Sequence, residues 1–379
     1  MTEPIALSRP TLGEEEAEAV RDVLASGWVA GQGPRGSELE RGFTKLTNTR
    51  HAVAVSNCTA ALHLSLLSLG VGPGDDVLVA DYTYPATGHA VVFTGARPVF
   101  VDVRSDTGTI DPDAAASSIG PRARGIVAVD VFGQCADYEP LRTLCDRHGL
   151  FLLEDAATAA GATYMGLPAG SLADVACFSL HARKGITSGE GGVVVTDDSE
   201  VADTVRMLSC FGVASAFERQ QSDDLAVPSF EKLGYNYKLS DIQAAVAVVQ
   251  LGRLFENLKI RRSIADIYEE RLSQVPGVEP PIQVDDREHT WQAYVLALDR
   301  SISRGRVARA LRSKGIEAGI GTFASHLQPV YEDPARCRVS SDLFSRHMAI
   351  PMHANLTEGQ AERVASSVVS VVAQEFEQT

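Results

Sequence analysis

Between residues 50 and 200, short apolar runs alternate with amphipathic stretches. "HAVAVS" (51–56) predicts a strand, and "TAALHLSLLSLG" predicts a helix ending at Gly70. "DVLVA" (76–80), "PVFVDV" (98–103), "GIVAVDVF" (125–132), "LFLLED" (150–155), "DVACFSL" and "GGVVVTDD" predict further strands, with "YEPLRTLCDRHG" a helix among them. Several of these strands are apolar throughout rather than alternating, as a mainly parallel sheet covered on both faces requires. The pattern predicts a large α/β domain.

Outside that block, residues 12–26 read as an acidic amphipathic helix with Ala17, Val20, Val23 and Leu24 at helical spacing. Residues 212–232 have weak periodicity and many polar side chains, which predicts a loop. One long helix is expected from Ser240, with a capping box between Ser240 and Gln243. It leads into a smaller domain containing a strand over 290–299, the helix "SRGRVARALRSKG" and a closing helix boxed by Thr357 and Gln360. The expected division is a large domain over 1–250, including the N-terminal helix, and a small α+β domain over 251–379. The cleft between two such units is a common ligand site.

With 379 residues, 45% hydrophobic and 22% charged, the chain has the composition of a globular enzyme. Its net charge of −15 argues against a general nucleic-acid surface. The six cysteines form no C-x-x-C pair, so neither a zinc site nor a disulfide scaffold is indicated, and no metal is expected. Without a signal-like start or a long apolar run, no membrane association is expected and the cytoplasm is the expected compartment.

Several residues could carry chemistry. In "SNCTAALHL", the amides near Cys58 and Thr59 open a helix and would suit a phosphate; the plain alternative is a βα turn capped by Ser56 or Thr59. Glu154 and Asp155 close a strand at its carboxyl end, where open α/β sheets bind ligands. Asp155 could pair with a protonated ring nitrogen, or it could cap an Ala-rich helix after it. Lys184 sits between an apolar strand and "GITSGEGG"; a desolvated amine there could attack a carbonyl, or the side chain could simply snorkel from a strand end. Ser179 could add a hydroxyl to a phosphate cluster. Tyr84 could stack on a flat ring or belong to the core. "GQGPRG" (31–36) fits G-x-G-x-x-G, but it follows a helix rather than a strand and is not read as a nucleotide fingerprint.

An anion seat, an aromatic, a sheet-edge acid, a serine and a lysine, in this order at strand ends, are what pyridoxal 5′-phosphate requires. With "ASGWVAGQGPRGSELERGF", "AVSNCTAALHLSLLSLGVGPGDDVLVADYTYPAT", "EDAATAAGATYMGLPAGSLADVACFSL" and "LGYNYKLSDIQAAVAVVQL", the chain resembles the DegT/DnrJ/EryC1/StrS aminotransferases over almost its whole length. The resemblance implies the fold type I architecture of pyridoxal-phosphate enzymes, similar to aspartate aminotransferase. It implies amino transfer from glutamate or glutamine to a keto-sugar, most often nucleotide-linked, in amino-sugar or antibiotic biosynthesis. A keto-cyclitol acceptor and a cofactor-dependent sugar dehydratase are the alternatives, the latter disfavoured because its best-known branch replaces the lysine with histidine.

Carried over residue by residue, the resemblance implies that Lys184 holds the cofactor and Asp155 lies under its ring nitrogen. Tyr84 would stack on the ring. Cys58 and Thr59 amides and the Ser179 hydroxyl would hold the phosphate. Asn236 of "GYNYK" would reach the phosphate of a neighbouring subunit, which implies a homodimer with shared sites. Two positions depart from the pattern: Thr158 stands where the family often has Gln or His facing the cofactor's phenolic oxygen, and "FASHLQP" leaves His326 as the nearest match to a family histidine.

Overall fold

A computed structural model describes residues 4–213, 229–331 and 337–376; most of the predicted 212–232 loop lies outside them. The large sheet has seven strands: β1 (His51–Val55), β2 (Asp76–Ala80), β3 (Arg97–Val101), β4 (Ala123–Val129), β5 (Phe151–Asp155), β6 (Val175–Ser179) and β7 (Gly192–Thr196). Their order is β1-β7-β6-β5-β4-β2-β3. Four pairings are parallel, and β7 runs antiparallel to both β1 and β6. The mainly parallel sheet is the α/β arrangement that the pattern predicts, in keeping with the fold type I architecture that the resemblance implies.

Apolar side chains cover both faces of this sheet. On one face Leu78, Ile126, Leu152 and Ala176 join Phe43 and Phe178; on the other Val53, Val79, Val127, Leu153 and Val194 pack with Leu62 and Leu66 of the helix Cys58–Ser68. This two-sided burial explains why the strands lack alternation. The fall in polarity is broken at one edge, where β5 ends in Glu154 and Asp155, both buried.

A second core gathers Ile264, Tyr268, Leu296, Val307, Met348 and Val368 around an antiparallel sheet. Its strands are β8 (Val278–Glu279), β9 (Tyr294–Leu298), β10 (Gly319–Ile320) and β11 (His347–Ile350), in the order β8-β9-β11-β10. Ile5, near the chain's start, is buried in the same core and bridges to Ile316. A short ladder pairing Tyr82–Thr83 with Phe323–Ala324 ties the two regions together.

Three local expectations are corrected. The long helix after Ser240 is two helices, Asp241–Gly252 and Leu254–Leu272, broken at Arg253, whose φ of −100 and ψ of 1 leave the helical range. No helix follows Asp155: residues 156–162 form turns in which the Ala159 amide donates to the Ala156 carbonyl, and Gly161 adopts a φ of +88. The strand expected from 290 begins only at Tyr294, because Trp291 has a φ of +50 and cannot join a ladder. Both capping boxes form as expected, with the Gln243 and Gln360 amides donating to Ser240 and Thr357 hydroxyls.

Candidate active site

The carboxyl edge of the sheet is where the singled-out residues converge. Val55, Gly192 and Ser179 stand in one register row across β1, β7 and β6, and Asp155 is level with Cys177 one strand further on. The helix Cys58–Ser68 starts just past β1. Its cap is Asn57, whose Oδ1 accepts from the Ala60 amide at 2.8 Å, and not Ser56 or Thr59, the caps of the plain alternative. Among the described residues the amides of Cys58 and Thr59 find no acceptor within the chain. Gly192 lies against this turn so closely that a Cβ would sit 2.6 Å from the Asn57 carbonyl group. Only glycine lets β7 approach the helix start there, and the helix keeps free donors at its positive end.

Asp155 projects from the opposite side of β5 to Glu154, as the two-residue period demands. Its Oδ2 accepts from the Thr87 hydroxyl at 2.7 Å, and its Oδ1 accepts from the Ala157 amide at 3.3 Å. Burial raises the carboxyl's pKa, opposed by the Thr87 bond, the Ala157 amide and the charge of Lys184. Thr87 is buried and comes from the helix Ala86–Phe93 just after Tyr84. Sequence reasoning passed over it, since Thr87 is one small polar residue in an apolar helix.

Lys184 rides on a loop that bonds to itself. The Leu180 and Ala182 amides donate to the carbonyls of Gly191 and Gly189, and the Lys184 amide donates to His181 at 2.8 Å. Gly189 takes a φ of +83, which lets the loop return to β7 within a few residues. The half-buried Lys184 side chain has its amine's pKa lowered by burial and by Arg183, against the pull of Cys58 and Asp155. Cys58, Asp155 and Lys184 are thus close enough to feel one another across the turn, the strand end and the loop.

Lys184, Asp155, Thr158, Tyr84, Phe132 and Gln292 share one cleft of about 240 Å³, whose far wall comes from Ile320–Thr322 and Met352 of the second core region. Ser179 faces Lys184 from a small side cavity that Arg261 closes. Tyr84 is 67% exposed and meets Phe323 edge-on at 6.0 Å. The Thr158 hydroxyl donates to the Asp130 carbonyl at 2.5 Å, so its hydrogen points away from the cleft. Asn236 lies outside the cleft, bonded to Lys238 and bridged to Cys210. His326 is also elsewhere: its ring and amide both bond the buried Asp81 at 2.7 Å. Gln292, which sequence reasoning missed, donates through its side chain to the Arg183 carbonyl. The strand reading of 290–299 hid it, since the Trp291 turn is what aims it.

The "GQGPRG" stretch carries no open anion seat. Gly33 caps the helix Pro34–Thr47, and Asp241 accepts from the Arg35 and Gly36 amides.

The pattern that defines the DegT/DnrJ/EryC1/StrS aminotransferase family matches residues 10–369. The chain belongs to that family. Its members take pyridoxal 5′-phosphate, and the chain is a pyridoxal-phosphate-dependent aminotransferase with the fold of that group. The spore coat polysaccharide biosynthesis protein SpsC of Bacillus subtilis (strain 168) is 34% identical over 375 residues, 96% of each chain. Spr1654 of Streptococcus pneumoniae, solved in PLP and PMP forms, superposes with a TM-score of 0.93 in the PMP form, at 26% identity, covering 98% of this chain and 100% of that one. DesI, solved in the presence of its TDP-sugar product, gives a TM-score of 0.90 at 30% identity, covering 100% of this chain and 95% of that one. The residues present fit the cofactor: a buried carboxylate and a half-buried amine line one cleft, and Cys58, at the helix start whose amides are free among the described residues, is near enough to feel both. Among the described residues no helix is long and apolar enough to cross a membrane.

Proposed function

We propose that this aminotransferase moves nitrogen from glutamate or glutamine to a nucleotide-linked keto-sugar. Lys184 and Asp155 facing one cleft is the observation that supports this reading most directly. DesI, which is similar over the whole chain, was solved with a TDP-sugar product, and this favours a nucleotide-linked acceptor over a cyclitol. The presence of Lys184 favours amino transfer over dehydration.

In this reading the Cys58 and Thr59 amides and the Ser179 hydroxyl hold the phosphate, Asp155 supplies the negative charge under the ring nitrogen, and Tyr84 covers the ring. When bound, pyridoxal 5′-phosphate supplies the electron sink that stabilises a carbanion at the donor's α-carbon and carries the nitrogen between substrates. Lys184 would hold the cofactor through its Nζ, and the same amine would be placed to take a proton from the donor's α-carbon and to return one on the acceptor side. Burial lowers its pKa, which favours the neutral amine that can accept a proton. Thr87 and the Ala157 amide favour the ionised form of Asp155 against the burial that raises its pKa. Thr158 takes no donor part, since its hydrogen is committed to Asp130.

We further infer a homodimer in which Asn236 serves the partner's cofactor. Its position outside its own cleft, near Leu233 at 92% exposure and Phe230 at 63%, supports this. The separate cores support a boundary near residue 250 between a large and a small domain, with Ile5 returning to the small one.

The test is to incubate the holoenzyme with nitrogen-labelled glutamate and a panel of nucleoside-diphosphate keto-sugars and keto-cyclitols, reading products by mass spectrometry. Label in an amino-sugar nucleotide supports the proposal. Label only in a cyclitol, or loss of water without label, overturns it.

A further inference from the structure

Behind the cleft, on the opposite face of the sheet, stand two carboxyl groups that no cation accompanies among the described residues. Asp130 and Glu154 are both fully buried. They share a face because Ala128 lies opposite Glu154 and Val129 opposite Asp155, which turns Asp130 back toward Glu154. Asp130 Oδ1 accepts from the Ala136 amide and the Tyr138 hydroxyl, each at 2.9 Å. Glu154 Oε1 accepts from the Gly170 amide at 2.8 Å. The Leu172 amide also favours the ionised form of Glu154; among the described residues Asp130 Oδ2 and Glu154 Oε2 have no hydrogen-bond partner, and the two side chains are within hydrogen-bonding reach of each other.

The remaining neighbours do not neutralise the pair. Burial pushes the Cys135 thiol and the Tyr138 phenol well up, so both are neutral. Asp155 on the other face adds a negative charge. Arg287, whose charge acts on the neighbouring Cys135, is occupied by Asp137, Asp286 and the Cys135 carbonyl. Two adjacent carboxylates buried without a cation cannot both stay ionised. One proton between the two orphaned oxygens satisfies both at once. In keeping with this, burial pushes both carboxyls above the usual carboxylate range, Glu154 further through the charge of Asp130.

We propose that Asp130 and Glu154 share one proton between Oδ2 and Oε2, and that this bridge makes them positioning residues for the cofactor floor. Asp130 is the link. Its amide donates to the Asp155 carbonyl at 3.1 Å, and its own carbonyl accepts the Thr158 hydroxyl at 2.5 Å. A side chain locked by the shared proton, Ala136 and Tyr138 holds that main chain between the two residues facing the cleft. It also fixes the following turn, where Phe132 takes a φ of +60 and lines the cleft. The proton bridge stands independently; its effect on the cofactor rests on the roles proposed above for Asp155 and Lys184.

The test uses holoenzyme carrying Glu154→Gln, Asp130→Asn or Asp130→Ala. Gln and Asn put a permanent N–H where the proton sits. Because the folded state favours the protonated pair, its stabilisation is complete at acid pH and is lost as pH rises through the folded-state pKa values. The unsubstituted protein's thermal midpoint should therefore fall between about pH 5 and about pH 9, and that of Glu154→Gln should fall less. If both fall equally, there is no shared proton. For the cofactor, Glu154→Gln and Asp130→Asn should release pyridoxal 5′-phosphate within about threefold of the parent rate. Asp130→Ala should release it roughly tenfold faster, with a shifted absorbance maximum. An unchanged spectrum and release rate in Asp130→Ala would overturn the positioning role. If Asp130→Ala does not fold, Glu154→Asp, which withdraws the carboxyl by one methylene, gives the same comparison. Failure of the cofactor roles themselves would appear separately, as weak cofactor retention in the unsubstituted protein.

Discussion

The Thr87 hydroxyl donates to Asp155 Oδ2 at 2.7 Å, and Thr83 stands 3.0 Å behind it, able to donate to Thr87 in turn. A buried carboxylate is expensive, and this short relay favours its ionised form. Thr87→Val removes the donor at nearly constant volume. The Asp155 pKa then rises further, because burial is opposed by one fewer bond. The acid limb of the pH–rate profile should move to higher pH, and turnover at neutral pH should fall by about tenfold. Thr87→Ser should restore both. A Thr87→Val profile that overlays the parent's would show that Asp155 does not depend on this bond.

Lys184→Ala tests the central assignment. The loop carrying it is held by main-chain bonds such as Leu180 to Gly191 and by the Thr187 hydroxyl on the Leu180 carbonyl, none of which involves the lysine side chain. The fold should survive, with an unchanged circular dichroism spectrum. Turnover should fall by roughly four orders of magnitude, since the variant lacks both the anchor and the proton carrier. Borohydride treatment followed by mass spectrometry should no longer find cofactor mass on the chain. Cofactor fixed to the variant would move the assignment to another amine.

The sequence revealed the sheet better than the site. The strands β1 to β7 were legible because each is a short apolar run between turns, and burial on both faces erased any competing pattern. Asp155 and Lys184 were legible because they interrupt apolar surroundings. Their neighbours were not. Thr87 is one small polar residue in an apolar helix, and the contact it makes spans 68 positions of sequence. Local composition carries no trace of such a partner. Trp291 misled the reading of 290–299: an aromatic among Thr, Tyr and Val favours a strand, but its φ of +50 is set by packing against His289 and Tyr294. The Ala-rich stretch after Asp155 failed for the opposite reason. Helix propensity yielded to tertiary contacts, including Gly161, where a Cβ would sit 2.6 Å from Leu258.

Asp241 explains why a glycine-rich stretch that looks like a nucleotide fingerprint does not act as one. It is buried at the start of its own helix, and its two oxygens accept the Arg35 and Gly36 amides at 3.1 and 2.9 Å. The anion that the helix Pro34–Thr47 favours at its start is a side chain of the chain itself. Asp241→Ala should cost about 1 to 2 kcal/mol of stability, the range for losing a helix cap. Asp241→Asn should recover part of it. Urea unfolding checks both, with turnover per folded molecule expected to change little.

Gln292 is the last test, and it separates positioning from binding. Its side chain holds the Arg183 carbonyl, one residue before Lys184, while its own amide donates to Phe132 and its carbonyl accepts from the buried Arg261. The lysine loop is thereby tied to the turn that follows Asp130. Gln292→Ala frees the Arg183 carbonyl without removing any group that bears the cofactor. An amine displaced by a fraction of an ångström transfers protons more slowly but still anchors, so kcat should fall by about tenfold while cofactor retention stays near the parent's. Gln292→Glu replaces the donor with an acceptor facing the same carbonyl and should be worse than Ala. If Gln292→Ala instead raises KM at constant kcat, the residue contacts substrate and does not position Lys184.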